Sequence, residues 1–318
     1  METRRLRYFV TIVDSGTITR AAELLHLAQP ALSQHVTALE AEFKQQLLVR
    51  SRRGIVPTAA GHSLYRYAQS ILRLEHEAHH EITSELSSPS GTVTIGLAPY
   101  SQASSLTVPI LQTVRSRYPR ILMRIVETLT VIHSQAIRMG QLDAALIYDP
   151  GPIRGVKFER ISTDPLVLVT PGNLEVPGSN EDEVPLSALA DLEFILPTRT
   201  HTLRNLLEQT LSRAGLELKA VIEMEHSTPL GNAVALGLGV TVLPRRAADA
   251  IFAGDEFHLR RITNPELSVG FALATPDHEA ISPAADAVVR TLREMLLGPD
   301  SRWAGGSPGA GRGVDNAD

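Results

Sequence analysis

Residues 16–40 read GTITRAAELLHLAQPALSQHVTALE, and the reading of the N-terminal part of the chain turns on them. Ala21, Ala22, Leu24 and Leu25 are apolar at helical spacing, with Thr17 or Thr19 available as N-cap. His26-Leu27-Ala28 interrupts that pattern. A second helix opens at Gln29-Pro30, because proline in a first helical turn sacrifices no intrahelical hydrogen bond. Its expected buried stripe is Leu32, Val36, Leu39 and Phe43; the opposite face shows Gln29, Ser33, Gln34 and Thr37. Small and amide side chains without long charges suit hydrogen bonding to base edges in a major groove. A short helix, a tight turn and a second helix with such a face form a helix-turn-helix. Two helices of an ordinary all-α bundle would share the pattern, so the flanks decide.

On the N-terminal side, Leu6, Phe9, Val10 and Val13 fall at i, i+3, i+4 and i+7, a first amphipathic helix that Ser15-Gly16 ends. On the C-terminal side, Leu47-Leu48-Val49 reads as a strand, Arg50-Ser51-Arg52-Arg53-Gly54 as a basic turn and Ile55-Val56 as the returning strand, closed by Pro57. A two-stranded ribbon with a cationic tip beside a helix-turn-helix is a winged helix, and arginines at the tip suit the negative potential of a minor groove. Thr58 then caps a long helix to about Leu86. On it Leu64, Ala68, Ile71, Ala78 and Ile82 keep heptad-like spacing, with Glu75 interrupting the seam. Such a seam calls for the same helix of a second subunit, and two-fold symmetry in the protein predicts an inverted-repeat site on double-stranded DNA.

Charge supports this division. The net charge of −5 does not by itself suggest a nucleic-acid partner, but residues 1–58 hold eight Lys/Arg against five acids, whereas the rest holds 22 against 30. A basic head on an acidic body is expected where only the head touches phosphate. The absence of cysteine excludes disulfides and thiolate chemistry and fits a reducing cytoplasm. Arg4-Arg5-Leu6-Arg7 is followed by too short an apolar run for a signal peptide, and His226 to Pro244, though uncharged, is broken by proline and glycine, so no membrane span is expected. The sequence His76-Glu77-Ala78-His79-His80 matches the zinc-protease pattern H-E-x-x-H, but no third ligand follows at the required spacing. No metal, cofactor or catalytic residue is therefore assigned.

After a hinge at Ser87-Ser88-Pro89-Ser90-Gly91 the composition changes. Strands at Val93–Leu97, Leu122–Val126 and Ala144–Ile147 alternate with helices at Ser105–Tyr118 and Val131–Met139, an α/β pattern that predicts a parallel sheet. From Asp164 the pattern restarts. Strands are expected at Leu166–Val169, Phe194–Leu196, Ala220–Ile222 and Val240–Leu243, helices at Leu203–Ala214 and Gly231–Leu236. Ser268–Ala274 reads as a strand crossing back to the first lobe, Ala284–Leu297 as a last helix, and the Gly/Pro/Ser-rich residues 298–318 as a disordered tail.

Taken together, Leu6-Arg7-Tyr8-Phe9, Ala21-Ala22, Gln29-Pro30-Ala31-Leu32-Ser33, Leu39-Glu40 and Thr58-Ala59-Ala60-Gly61 resemble the LysR-type transcriptional regulators over nearly the whole chain. Leu142-Asp143-Ala144-Ala145 and Ala235-Leu236-Gly237-Leu238-Gly239-Val240 fit the family's effector domain. Gly96-Leu97-Ala98-Pro99 and Ala103-Ser104-Ser105 resemble its nitrogen assimilation control branch. The resemblance implies an N-terminal winged helix-turn-helix (1–58), a linker and dimerisation helix (59–90) and an effector domain (91–297). The last is similar to type 2 periplasmic-binding proteins, with lobe I at 91–163 and 268–297 and lobe II at 164–267. Gln29, Pro30, Ser33 and Gln34 are then expected at base edges, Thr19 and Arg20 near the DNA backbone, and Arg50, Arg52 and Arg53 in the wing. The effector, a small anionic or polar metabolite, is expected among Tyr100, Ser101 and Ser104, Thr128 and Thr130, Thr198, Arg199 and Thr200, and Ser227 and Thr228. Its binding would alter how a homodimer or homotetramer sits on DNA, and with that the access of RNA polymerase. One departure from the family is Ala28, where many relatives place a capping serine. The rival readings are a solute-binding protein without regulatory DNA function, which has no use for the basic head, and a nucleotide-dependent enzyme, for which Gly237-Leu238-Gly239 lacks the third glycine.

Overall fold

The computed structural model describes residues 2–51, 54–83, 89–252, 254, 256–277 and 282–298. Arg52 and Arg53 of the wing, Ser87 and Ser88 of the expected hinge and the tail from residue 299 lie outside the described residues, as do the side chains of Arg50, His76, Glu77, His80 and Ser104. The chain divides into two compact units: residues 1–91 with Arg138–Gln141, and the remainder.

The first unit, the head, runs α1 (Thr3–Ser15), α2 (Ile18–Leu25), α3 (Gln29–Phe43), β1 (Leu48–Ser51), β2 (Gly54–Pro57) and α4 (Ala59–Thr83). Gly16, in the left-handed region at φ 72°, ends α1. Thr17, not Thr19, caps α2, its hydroxyl accepting from the Arg20 amide at 3.2 Å. His26, left-handed at φ 53°, makes the turn into α3. Leu6, Phe9 and Ile12 of α1 meet Ala21, Ala22, Leu32, Val36, Leu39, Leu64 and Ala68 in one core. Phe43, expected in the buried stripe, is 42% exposed. It is the last residue of α3, and the chain turns away at Lys44, in the left-handed region at φ 51°.

The expected subunit seam on α4 needs a larger correction. Leu64 and Ala68 are covered by the head's own core. Glu75 interrupts the seam because it belongs to the α1 side, accepting from Thr3 Oγ1 at 2.6 Å and Arg7 Nη2 at 3.0 Å. Ala78 and Ile82 of the expected seam are exposed, as are the large apolar side chains Tyr67 and Leu74.

The second unit, the body, continues with β3 (Gly91–Leu97), α5 (Ala103–Arg117), β4 (Ile121–Glu127), α6 (Thr130–Arg138), β5 (Ala144–Tyr148), β6 (Val156–Pro171) and β7 (Glu183–Pro185). A short 3-10 helix, Leu186–Asp191, precedes β8 (Glu193–Leu196), α7 (Thr202–Arg213), β9 (Lys219–Glu223), α8 (Thr228–Ala235), β10 (Thr241–Pro244) and α9 (Arg245–Ile251). β11 (Phe257–Thr263), β12 (Ser268–Pro276) and α10 (Pro283–Leu297) complete it.

The main sheet has the order β4-β3-β5-β12-β6-β11-β7, with β10 also against β6, while β8 and β9 form a separate parallel pair. β3 and β5 are parallel as expected, but β12 runs antiparallel to both its neighbours, and β10 and β11 antiparallel to β6. The sheet is mixed because two strands carry the chain between lobes. β6 lies beside β12 from Val156 to Pro165 and beside β10 or β11 from Leu166 to Pro171. Sequence reading captured only its second half, since Lys157, Glu159 and Arg160 mask the first. α9, β7 and β11 lie outside the predicted series.

Candidate nucleic-acid interface and interlobe site

In the head, Thr19, Arg20, Gln29, Pro30, Gln34 and Thr37 are exposed, and Ser33 is half-buried, its carbonyl accepting from the Thr37 hydroxyl at 3.1 Å. α3 is held from behind by Leu32, Val36 and Leu39 and at its flank by the Tyr8–His35 ring contact, 4.9 Å between centroids. From its C-terminal half Glu40 reaches the ribbon, one carboxylate oxygen accepting from the Leu47 and Leu48 amides at 2.8 and 3.2 Å. The ribbon's other strand is fixed to the end of α1, where the Ile55 amide donates to the Gly16 carbonyl at 2.8 Å. Gly54, at φ 115°, lies so close to that carbonyl that a Cβ would stand 2.5 Å from its oxygen. The polar face of α3 and the ribbon are therefore placed by one connected set of contacts. Arg4 and Arg5 pair with Glu2, Arg5 also with Glu42, and Arg7 with Glu75, so much of the basic excess at the N-terminus is already compensated.

In the body, the loops after β3, β4, β8 and β9 carry the expected effector residues, but most are spent on the protein itself. Tyr100, left-handed at φ 54° and 2% exposed, donates its hydroxyl to the Met224 carbonyl of lobe II at 2.7 Å. Its own carbonyl accepts from the Tyr148 hydroxyl. Burial raises the pKa of both phenols, with Glu225 and Glu127 adding to the effect at Tyr100, so they act as donors. Ser101 is buried, donating to Ala98 O at 2.7 Å and accepting from the Ala103 amide at 3.1 Å. Thr130 is buried at the start of α6, and the Thr128 amide donates to the Leu97 carbonyl at 3.2 Å. Thr198 gives both its amide and its hydroxyl to Glu225, and contacts the Thr200 hydroxyl at 3.0 Å. Arg199, 77% exposed, faces Glu208 of α7 at 3.5 Å. Ser227 precedes α8 without a side-chain capping bond, and Thr228 is exposed.

Sequence reading missed the group that knits these loops. His201 is 2% exposed, edge-on to Tyr100 and Tyr148 with ring centroids 5.8 and 6.0 Å away. Its Nδ1 accepts from the Leu203 amide at 3.2 Å, and its ring also bonds the Pro99 backbone of lobe I. Burial depresses its pKa to about 4, against the pull of Glu225 and Pro99. It is a neutral imidazole joining the lobes.

Two family descriptions match. The bacterial regulatory helix-turn-helix proteins of the lysR family cover residues 3–62, and the LysR substrate binding domain covers residues 87–297. The chain belongs to the LysR family. It is 39% identical to the nitrogen assimilation regulatory protein nac of Escherichia coli, over 94% of this chain and 96% of that one. Among solved structures it resembles ArgP of Mycobacterium tuberculosis, TM-score 0.70 at 22% identity over 92% of this chain and 96% of that one. It also resembles full-length CbnR in complex with its target DNA, TM-score 0.65 at 20% identity over 92% and 99%.

This LysR regulator is thus a DNA-binding transcriptional regulator with a two-lobed effector-binding domain, and the solute-binding alternative leaves the match over residues 3–62 unexplained. No described helix is long and apolar enough to cross a membrane, and no cluster of potential metal ligands occurs among the described residues. Ala28 makes no side-chain capping bond, so the departure noted in the sequence leaves the first turn of α3 without that support. Gln102, Tyr148, His201 and Glu225 were not predicted, because nothing in their local sequence distinguishes a polar group bonded to a distant loop from one that caps a helix.

Proposed function

We propose that the protein is a cytoplasmic, sequence-specific regulator that reads an inverted-repeat promoter site with α3 of two subunits. Gln29, Pro30, Ser33 and Gln34 meet base edges, Thr19 and Arg20 the backbone, and Arg50, Arg52 and Arg53 belong to the wing. The observation that carries this reading is a rigidly backed α3 whose exposed face holds amides and hydroxyls at its N-terminal end. Tyr67, Leu74 and Ile82 of α4 supply an apolar stripe for the same helix of a second subunit. The domain assignment follows: reading head 1–58, linker 59–90, effector domain 91–297 in lobes I (91–163, 268–297) and II (164–267). A small polar metabolite binds between the loops that carry Tyr100, Thr128, Thr198 and Ser227, and shifts the balance between two conformations rather than being turned over. The name of the Escherichia coli relative points to genes of nitrogen metabolism as targets.

The test is capture of sheared genomic DNA by the purified full chain at moderate salt, followed by sequencing, with Gln29→Ala in parallel. A few enriched fragments sharing an inverted repeat, lost or blurred by Gln29→Ala, are expected. Salt-sensitive capture of everything would leave only a non-specific basic head.

A further inference from the structure

Where β6 leaves one lobe for the other, Gln102, Ser162, Arg246 and Asp164 form a largely buried chain of contacts that the reading above does not use, its last link running through the Arg246 backbone amide. Gln102 immediately precedes α5 in lobe I and is 2% exposed. A residue at this position commonly caps its own helix, but this amide makes no capping bond. Instead Nε2 donates to Ser162 Oγ of β6 at 2.8 Å, and Oε1 accepts from Arg246 Nη1 of α9 in lobe II at 2.8 Å. The Arg246 amide in turn donates to the Asp164 carboxylate at 3.2 Å. Ser162, Asp164 and Gln102 are all buried.

The backbone at this point is built to change course. Opposite β12 the register of β6 shifts, Phe271 facing Ser162 but Ala272 facing Arg160, so that Ile161 is an extra residue. An extra residue bends a strand and re-aims its side chains. Asp164 is opposite Val269 of β12, and only two residues later Leu166 is opposite Pro244 of β10, two residues before Arg246. Tyr100, two residues before Gln102, holds a left-handed backbone that a non-glycine residue keeps only when its surroundings impose it.

We propose that Gln102 is a positioning residue that sets the angle between the lobes, its amide joining the crossover strand to the start of α9. The regulatory part of this statement rests on the reading of the body as an effector domain. A ligand that displaces the Tyr100–Gln102 loop then pulls on Arg246 and so on lobe II, without touching lobe II itself. Loss of the amide leaves the buried Ser162 hydroxyl and the half-buried Arg246 guanidinium without that partner, which favours an opened arrangement where water reaches them.

The absence of cysteine allows a direct test on the full chain. Ser116→Cys on α5 and Ser212→Cys on α7, both exposed positions, carry spin labels, and an excess of unlabelled protein leaves only intrachain pairs. Pulsed electron paramagnetic resonance then reads the distance between lobes. A single narrow distribution is expected for the parent. Gln102→Leu, close in volume but without polar atoms, is expected to broaden it and add a second, longer component. Arg246→Met should do the same from the other lobe, and Gln102→Glu, which keeps an acceptor for Arg246, should retain the narrow form. A Gln102→Leu distribution that superimposes on the parent's, whatever its melting temperature, would overturn the proposal; so would Gln102→Glu broadening as far as Gln102→Leu. If Gln102→Leu does not fold, Arg246→Met decides alone. The measurement uses neither DNA nor ligand, so a failure of the regulator reading shows separately in the capture experiment.

Discussion

On α3 of the head, Gln29, Gln34 and Thr37 stand exposed, whereas between the lobes of the body Tyr100, Ser101 and His201 are buried and engaged with other parts of the protein. On the proposed assignment of sites, the difference follows from what each region has to bind. A duplex is a large, stiff partner met at the surface, so the reading side chains are best left free on an element that is itself immobilised. A small ligand must be enclosed, and until it arrives the enclosing groups satisfy one another. The head is therefore expected to lose function when its scaffold is disturbed, and the body to respond when its internal bonds are exchanged.

The severest way to break the comparison is to disturb the head where it has no slack. Gly61 in the first turn of α4 packs so tightly that a Cβ would stand 2.0 Å from the Leu47 carbonyl oxygen. Gly61→Ala should cost more than about 3 kcal/mol in the head, since backbone rather than a flexible side chain has to move. Specific DNA binding should be lost in a footprinting assay, while the near-ultraviolet signal of Tyr100 and Tyr148 in the body persists. Retained binding would mean that the reading helix tolerates a loose scaffold.

In the body, two buried titrating groups act in opposite senses. Burial lifts Asp164 to about 6 against the pull of Arg246. It holds its proton more tightly folded than unfolded, so its stabilisation is complete below its usual 3.8 and disappears as pH rises through 6. His201, depressed to about 4, contributes nothing below that pH and contributes fully above its usual 6.5. Each swing is about 3 kcal/mol, and between pH 4 and 6.5 they nearly cancel. Asp164→Asn should expose the His201 effect, so that urea midpoints fall on acidification across this window much more steeply than in the parent. Parallel curves for the two proteins would contradict this account of the hinge.

How much of this was legible in the sequence depends on the range over which each feature is encoded. Thr17, Gly16, Gln29-Pro30 and Thr58 act on neighbours within four residues, and the head's elements could be read from them. The N-terminal part of the seam on α4 was misassigned because periodicity identifies an apolar face but not its partner, and α1 lies behind Leu64 and Ala68, whereas Ala78 and Ile82 are exposed. In the body the elements were largely readable and the pairing was not. The antiparallel β12 and the long β6 result from two strands serving both lobes, a property of no local segment. The proposed effector loops were chosen for their position after strands, but the commitments of Tyr100, Gln102 and His201 join residues 60 to 144 positions apart. Such separations leave no periodic trace.

A smaller effect sharpens the comparison at the reading face itself. Gln29→Ala should cost about 1–3 kcal/mol against the preferred site and little against unrelated sequence, if the amide pairs with a base edge. Arg20→Ala should weaken both alike and lower the salt slope by about one. Competition titrations at several salt concentrations separate the two patterns. Equal loss of specificity in both variants would abolish the division between base-reading and backbone-holding residues.

The smallest expected effect concerns the start of α3. Ala28 leaves the first amides of α3 without a side-chain acceptor, and a DNA phosphate oxygen is the natural group to take them up on binding. Ala28→Ser restores a cap and should stabilise the free head by about 1 kcal/mol, seen as a higher urea midpoint. If a phosphate uses the same amides, the serine competes with it, and the gain in the free protein should not reappear in the complex. Affinity would then fall modestly while stability rises. Should stability and affinity rise together, α3 is ordered by the cap in the bound state as well, and the amides at its start are not a phosphate contact.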